Sequence, residues 1–179
     1  MLDLLRGVSF AVEGSGWLLP TVEGMARDLG GRPVRVPPEG RALYHATAVM
    51  ACGHVAALLR VAASLWGAFG YPPEDALAAL LPLARGTVEA LEREGLPRGV
   101  TGPVVRGDVG TLRRHLEALS RAHGGALEAQ APPGVALYSA LALASLEVAR
   151  ERGVPEARLR EMEAALRGRP GVAPGPLEG

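Results

Sequence analysis

The segment YHATAVMACGH, residues 44–54, holds two of the four histidines and the single cysteine of the chain. An imidazole titrates near neutrality, so His45 is the candidate general acid–base group. The alternative is a core histidine hydrogen-bonded to a neighbouring loop. On a helix His45 and Cys52 are seven positions apart and share a face, whereas His54 points elsewhere. Cys52 sits between Ala51 and Gly53 with no adjacent charge, which predicts packing rather than thiolate chemistry. The histidines form no HxxxH or HxH pair and there is no second cysteine, so no metal site is expected.

A second constellation is VTGPVVRGDVGT, residues 100–111. Gly102, Gly107 and Gly110 let a backbone approach something closely, and Thr101, Arg106, Asp108 and Thr111 supply polar groups. The stretch runs into a predicted helix start, where unpaired N–H groups can hold an anion and Arg106 would strengthen the attraction. The plainer reading has Asp108 capping that helix and Arg106 solvated. The glycine spacing lacks a preceding strand and is no dinucleotide fingerprint. All nineteen basic residues are Arg, which excludes a Lys base, a Schiff base or a P-loop.

These residues must be positioned by a mainly helical scaffold. VSFAVEG, residues 8–14, reads as a short strand. Trp17 to Leu29 follows as a helix with Leu18, Val22, Met25 and Leu29 at helical spacing, and Arg32 to Val36 as a second strand. Two short strands make a marginal sheet and want a neighbour. A long helix is predicted over residues 41–69, with Gly53 and Gly67 as close-approach points. A second opens at Pro72-Pro73, with Pro82 inside it as a kink. Residues 94–107 form a loop. Helices then follow from Asp108 to near Gly124, from Pro133 to about Arg152, and from Pro155 through Leu159, Met162 and Leu166. The division is residues 1–37, a strand–helix–strand unit; 38–168, the helical domain; and 169–179, a Gly- and Pro-rich disordered tail.

Nineteen acidic residues balance the nineteen basic ones, so neither nucleic acid nor an anionic membrane is called for as partner. One cysteine and no signal peptide point to a cytoplasmic protein. Residues 42–59 contain no Asp, Glu or Arg and approach membrane-spanning length. Tyr44, His45, Thr47, Gly53 and His54 within them favour a buried helix at a bundle or dimer centre. The helix beginning at Asp108 and the last helix otherwise read as solvated, mixed-charge faces.

FAVEG, DLGGRPVRV, YHATAVMACGHVAALL and TGPVVRGDVGTLRRHL, in that order, resemble the C-terminal half of a Rossmann-like family whose helical part is domain of unknown function 2520. That family is similar to the 6-phosphogluconate dehydrogenase and pyrroline-5-carboxylate reductase superfamily. The resemblance implies a helical bundle of the 6-phosphogluconate dehydrogenase C-terminal type, preceded by a remnant of a Rossmann sheet. It further implies a homodimer formed through the long helix and a small, anionic metabolite held near Arg106 and the helix start at Asp108. NAD or NADP would be the cofactor, bound by a Rossmann domain in cis or trans, since no strand–GxGxxG–helix occurs in this chain. His45 would be catalytic, and Tyr44, His54, Thr101, Gly102, Arg106, Asp108 and Thr111 would line the substrate site. Where the family has Ser-Asn, this sequence has Cys52 and Gly53, so a substrate contact by that Asn is unfilled or passes to His54. The alternative function is a non-catalytic helical homodimer that binds a ligand or scaffolds an assembly.

Overall fold

A computed structural model describes residues 5–122 and 133–168. The expected tail at 169–179, His123 and the expected helix end near Gly124 lie outside the described residues. The architecture is mainly α with one short parallel sheet, and the chain divides into two compact units, Met1–Ala56 and Ala57–Gly179.

The first unit opens with strand β1 (Ser9–Val12), helix α1 (Leu18–Asp28) and strand β2 (Arg32–Arg35). The strands pair in parallel, Ser9 opposite Arg32 and Val12 opposite Arg35, because a crossover helix returns the chain to the same end of the sheet. The DLGG segment shows why two glycines end that helix. Gly30 adopts a φ of +77°, its N–H donates to the Arg27 carbonyl, and the Gly31 N–H donates to Ala26; this is a Schellman closure. A methyl group on Gly31 would collide with the Phe10 ring and come within 2.8 Å of the Val8 carbonyl oxygen.

Helix α1 buries Glu23 and Ala26, whereas Leu18, Met25 and Leu29 stay exposed. Glu23 is tolerated inside because Arg35 on β2 donates to it at 2.5 Å and Arg27 at 3.3 Å. The Arg35 hydrogen bond, opposed by desolvation and helped by Arg27, holds its carboxyl below the usual range. Among the described residues the apolar stripe of α1 is therefore largely uncovered, with only Val22 half-buried.

A 3-10 turn at Pro38–Gly40 leads into α2 (Arg41–Ala51), which belongs to the first unit. Arg41 forks onto both oxygens of Glu13 at 2.6 Å each, and the Tyr44 hydroxyl donates to the Ser9 carbonyl at 3.3 Å. The compact unit that holds these contacts runs to Ala56. The single helix expected over 41–69 is interrupted. Cys52, at φ −117° and ψ −76°, separates α2 from α3 (Gly53–Ser64), and a 3-10 turn at Leu65–Phe69 ends in left-handed Gly70. Glycine's poor helix propensity places the irregularity at 52–53. Among the described residues Gly53 and Gly67 are not close-approach points: a methyl on Gly53 would meet only Val49, at 3.8 Å, and one on Gly67 nothing within 4 Å.

In the second unit α4 (Pro73–Glu94) starts after Pro72 with Glu74 and Asp75 in its first turn and continues through Pro82. A loop with a 3-10 turn at Val104–Arg106 reaches α5 (Val109–Ala122), followed by α6 (Pro133–Glu151) and α7 (Glu156–Leu166). Leu112, Met162, Leu159 and Leu166 close one core against Ala142 and Ala149 of α6 and Val104 of the turn. Leu112 and Met162 are fully buried, each worth about 1.5–3 kcal/mol of transfer free energy. Arg113 joins α5 to Glu161 of α7 at 2.9 Å, so it is paired rather than simply solvated.

Candidate functional site

The loop before α5 is built by its own side chains. Arg152, at the end of α6, donates to the Val100 carbonyl at 2.8 Å. Gly102 and Gly107 hold positive φ values of 117° and 68°, and a methyl on Gly107 would lie 3.0 Å from Val154. Left-handed Gly107 turns the chain so that Asp108 precedes the helix, where its Oδ1 accepts the Thr111 backbone N–H at 2.9 Å. Arg114 donates to the Thr111 hydroxyl at 2.7 Å. The Thr111 backbone bond, then its side chain, hold the Asp108 carboxyl below the ordinary carboxylate range. The charges of Arg114 and Arg106 act the same way and desolvation opposes them.

The structure therefore draws Arg106, Asp108, Thr111 and Arg114 into one small cluster at the head of α5. A carboxylate of the chain already sits where an external anion would bind, and Arg106 remains an exposed cation beside it. Thr101 is exposed and Gly102 half-buried on the same loop.

Tyr44, His45 and His54 belong to the first unit. Tyr44 is half-buried and holds β1 through its hydroxyl, so its contact is made within the fold. His45 is exposed and makes no hydrogen bond with another described residue, and the same is true of His54. His45 is thus not the hydrogen-bonded core histidine of the alternative reading. Cys52, expected to pack, is exposed as well. The reason is common to all three. Among the described residues little covers the helical run that carries them: Leu43, Met50, Val55 and Leu58 are exposed, and of α2 and α3 only Ala63 is buried. By length and composition alone, Pro38–Phe69 is long and apolar enough to cross a membrane, with a mean hydropathy of 1.7 and 6% of that window buried.

Sequence reading missed a feature of the second unit. A cavity of about 320 Å³ opens between α3, α5, α6 and the 101–104 loop, with Leu58, Val61, Leu119, Leu137 and Leu141 among its walls. Tyr138 contributes the one phenol, and its hydroxyl lies 2.9 Å from Nδ1 of His115, the two rings meeting edge to face. No spacing could have paired His115 with Tyr138, twenty-three positions apart on different helices. Leu137 and Leu141 of α6 face this cavity, whereas the buried residues of that helix are Gly134, Ala142 and Ala149.

The β1–α1 turn offers Gly14 and Gly16, the first two glycines of a dinucleotide fingerprint, with Leu19 where the third would stand. Among the described residues no three His, Cys, Asp or Glu side chains are grouped to hold a metal ion.

No curated protein and no solved structure matches this chain. A family model does. The model described as Domain of unknown function (DUF2520) matches residues 8–145, a span that takes in β1, the Gly30–Gly31 closure, the exposed helical run and the Asp108 cap. The chain belongs to the DUF2520 family.

Proposed function

We propose that this chain is the dimerisation and substrate-side helical domain of an NAD(P)-dependent oxidoreductase of the 6-phosphogluconate dehydrogenase and pyrroline-5-carboxylate reductase type. It would work with a nucleotide-binding domain supplied in cis or trans, and that domain's NAD(P) would give or take the hydride. The observation that carries the reading is the exposed apolar helical run, α2 through α3, within a chain of this family. Apolar surface on that scale is stabilised by a second copy or by another domain. The open edges of the two-stranded sheet and the bare stripe of α1 support the same need for a neighbour.

In this reading Arg106, Thr101, Gly102 and Thr111 contribute to holding a small anionic metabolite. Asp108 fixes the start of α5, and His45, exposed on α2 with Tyr44 and His54 nearby in sequence, moves the proton. Reaction class rests on likeness of family and fold rather than on an assembled catalytic geometry. The test is direct. NADPH is titrated against this chain alone and against a form joined to a strand–GxGxxG–helix domain. Only the joined form should bind. In that form His45→Ala should lower kcat and Arg106→Ala should raise KM; unchanged kinetics in both would sink the assignment.

A second reading, a non-catalytic helical homodimer, has its own support. No hydrogen bond among the described residues orients the His45 ring, and the anion position at α5 is filled by Asp108. In that case the joined form would bind NADPH without turnover of any small acid tested.

A further inference from the structure

The 320 Å³ cavity of the second unit takes Thr101 and Gly102 from the loop before α5 but not Arg106, Asp108 or Thr111, so its chemistry differs from that of the charged cluster at the head of the helix. Its volume falls within the roughly 300–1,000 Å³ of small-molecule pockets. Among the described residues its walls are mostly aliphatic, with Thr101, Tyr138 and Ser145 the polar side chains, and no Asp, Glu or Arg lines it. An ionised ligand would lose its water there and meet no counter-charge, a cost that such a lining cannot offset. A neutral, mostly hydrocarbon body loses nothing and gains the apolar contact.

The polar groups are few. The Ser145 hydroxyl donates to the Leu141 carbonyl at 2.9 Å, so its proton is committed to the helix. Tyr138 is different. It is half-buried, and burial pushes its phenol upward in pKa, which keeps it un-ionised at neutral pH. With His115 Nδ1 at 2.9 Å, the pair can present either half of a hydrogen bond. If Nδ1 carries the proton it donates to the phenol oxygen, and the phenol hydrogen is left for a ligand. In the other tautomer the phenol donates to Nδ1 and its oxygen accepts. A single hydroxyl on a ligand satisfies both arrangements.

We propose that this cavity binds a neutral, largely aliphatic small molecule carrying one hydroxyl or carbonyl oxygen, recognised by Tyr138 with His115 behind it. The site goes beyond the oxidoreductase reading and does not rest on it, because every residue it needs lies within the second unit.

Three probes of one shape test it on the whole chain: 4-methylcyclohexanol, 1,4-dimethylcyclohexane and 4-methylcyclohexanecarboxylate, followed through the methyl NMR signals of Val61, Leu137 and Leu141. The alcohol should shift those methyls saturably, and the carboxylate should bind at least about tenfold more weakly. Tyr138→Phe should weaken the alcohol by about three- to tenfold and leave the hydrocarbon unchanged. Leu141→Trp, at a position already 45% exposed and so tolerant of change, should fill the space and abolish binding of all three probes. Two results overturn the proposal. One is a carboxylate that binds as well as the alcohol. The other is a wild-type chain that binds no probe while Leu141→Trp alters its oligomeric state, which would assign the cavity to protein–protein packing.

Discussion

Helices α5–α7 and helices α2–α4 have similar apolar content and opposite fates. In α5–α7 the large aliphatic side chains meet one another: Leu112, Leu159, Met162 and Leu166 are all buried. In α2–α4 the only buried residues are Ala63 and Ala76, and Leu43, Met50, Leu77, Leu81, Leu83 and Val88 are exposed. The count of apolar residues does not distinguish the two sets, although α5 and α7 carry more charge, since an apolar face must be covered by its own chain or by something else. The first set makes the fold. The second leaves its large apolar side chains exposed, and that difference supports the proposed assembly.

The comparison is broken most forcefully at the closed core. Leu112→Ala should cost about 2–5 kcal/mol of unfolding free energy, because a fully buried leucine leaves both lost transfer energy and an unfilled space. Met162→Ala belongs in the same range. Denaturant titration followed by circular dichroism reads both. A loss below about 1 kcal/mol would mean that α5–α7 are no better packed than the exposed helices.

A smaller loss is expected from Gly31→Ala. The added methyl meets the Phe10 ring and the Val8 carbonyl, and the strand pairing must shift to admit it. Overpacking of this kind costs about 1–3 kcal/mol. In thermal unfolding the change should appear in the first unit. A melting curve identical to wild type would show that β1 and β2 yield without penalty.

Much of this was legible in sequence for identifiable reasons. Gly30-Gly31, Pro72-Pro73, Asp108 and Pro155 act within one turn of chain, so the ends of α1, α4, α5 and α7 followed from local chemistry. The Leu159–Met162–Leu166 spacing marked a buried face and is one. What could not be read was which apolar stripe finds a partner inside the chain. Leu18, Val22, Met25 and Leu29 have the same helical spacing as the α7 set, yet three of those four are exposed because β2 receives the Glu23 side instead. The candidate site divides in the same way. Asp108 as a cap followed from its position, whereas the Tyr138–His115 contact depends on how α5 meets α6. The exposure of His45 depends on a surface this chain does not cover.

The cap at Asp108 gives a pH-dependent prediction of smaller size. Its folded pKa lies below the unfolded value of about 3.9, since the Thr111 N–H favours the ionised form. The carboxylate therefore stabilises the fold above that value, and its contribution is lost as pH falls through the folded pKa. Glu13, Glu23 and Glu156 are shifted in the same direction, so the wild-type acid slope is a sum. Asp108→Asn retains a capping oxygen but cannot titrate. Melting temperatures measured from about pH 5 to about pH 2 should fall less steeply for the variant. Asp108→Ala should melt lower than wild type at neutral pH. Parallel slopes for wild type and Asn would remove Asp108 from the account.

The smallest effect on folding, and the sharpest test of the comparison, comes from the exposed run. Leu43 is 71% exposed and Met50 62%, on the same helix and seven positions apart, so they share a face. If the run served only the fold of its own chain, replacing these side chains with arginine would remove little buried surface and change unfolding by no more than about 0.5 kcal/mol. If it is an assembly surface, the same double substitution places two charges where apolar groups meet apolar groups. The unfolding free energy extrapolated to low protein concentration should then be unchanged. The mass measured by light scattering should drop from dimer to monomer in Leu43→Arg/Met50→Arg. A dimer that survives both charges would move the interface off this face of α2, leaving α4, with Leu77, Leu81 and Leu83 outward, as the surface to charge next.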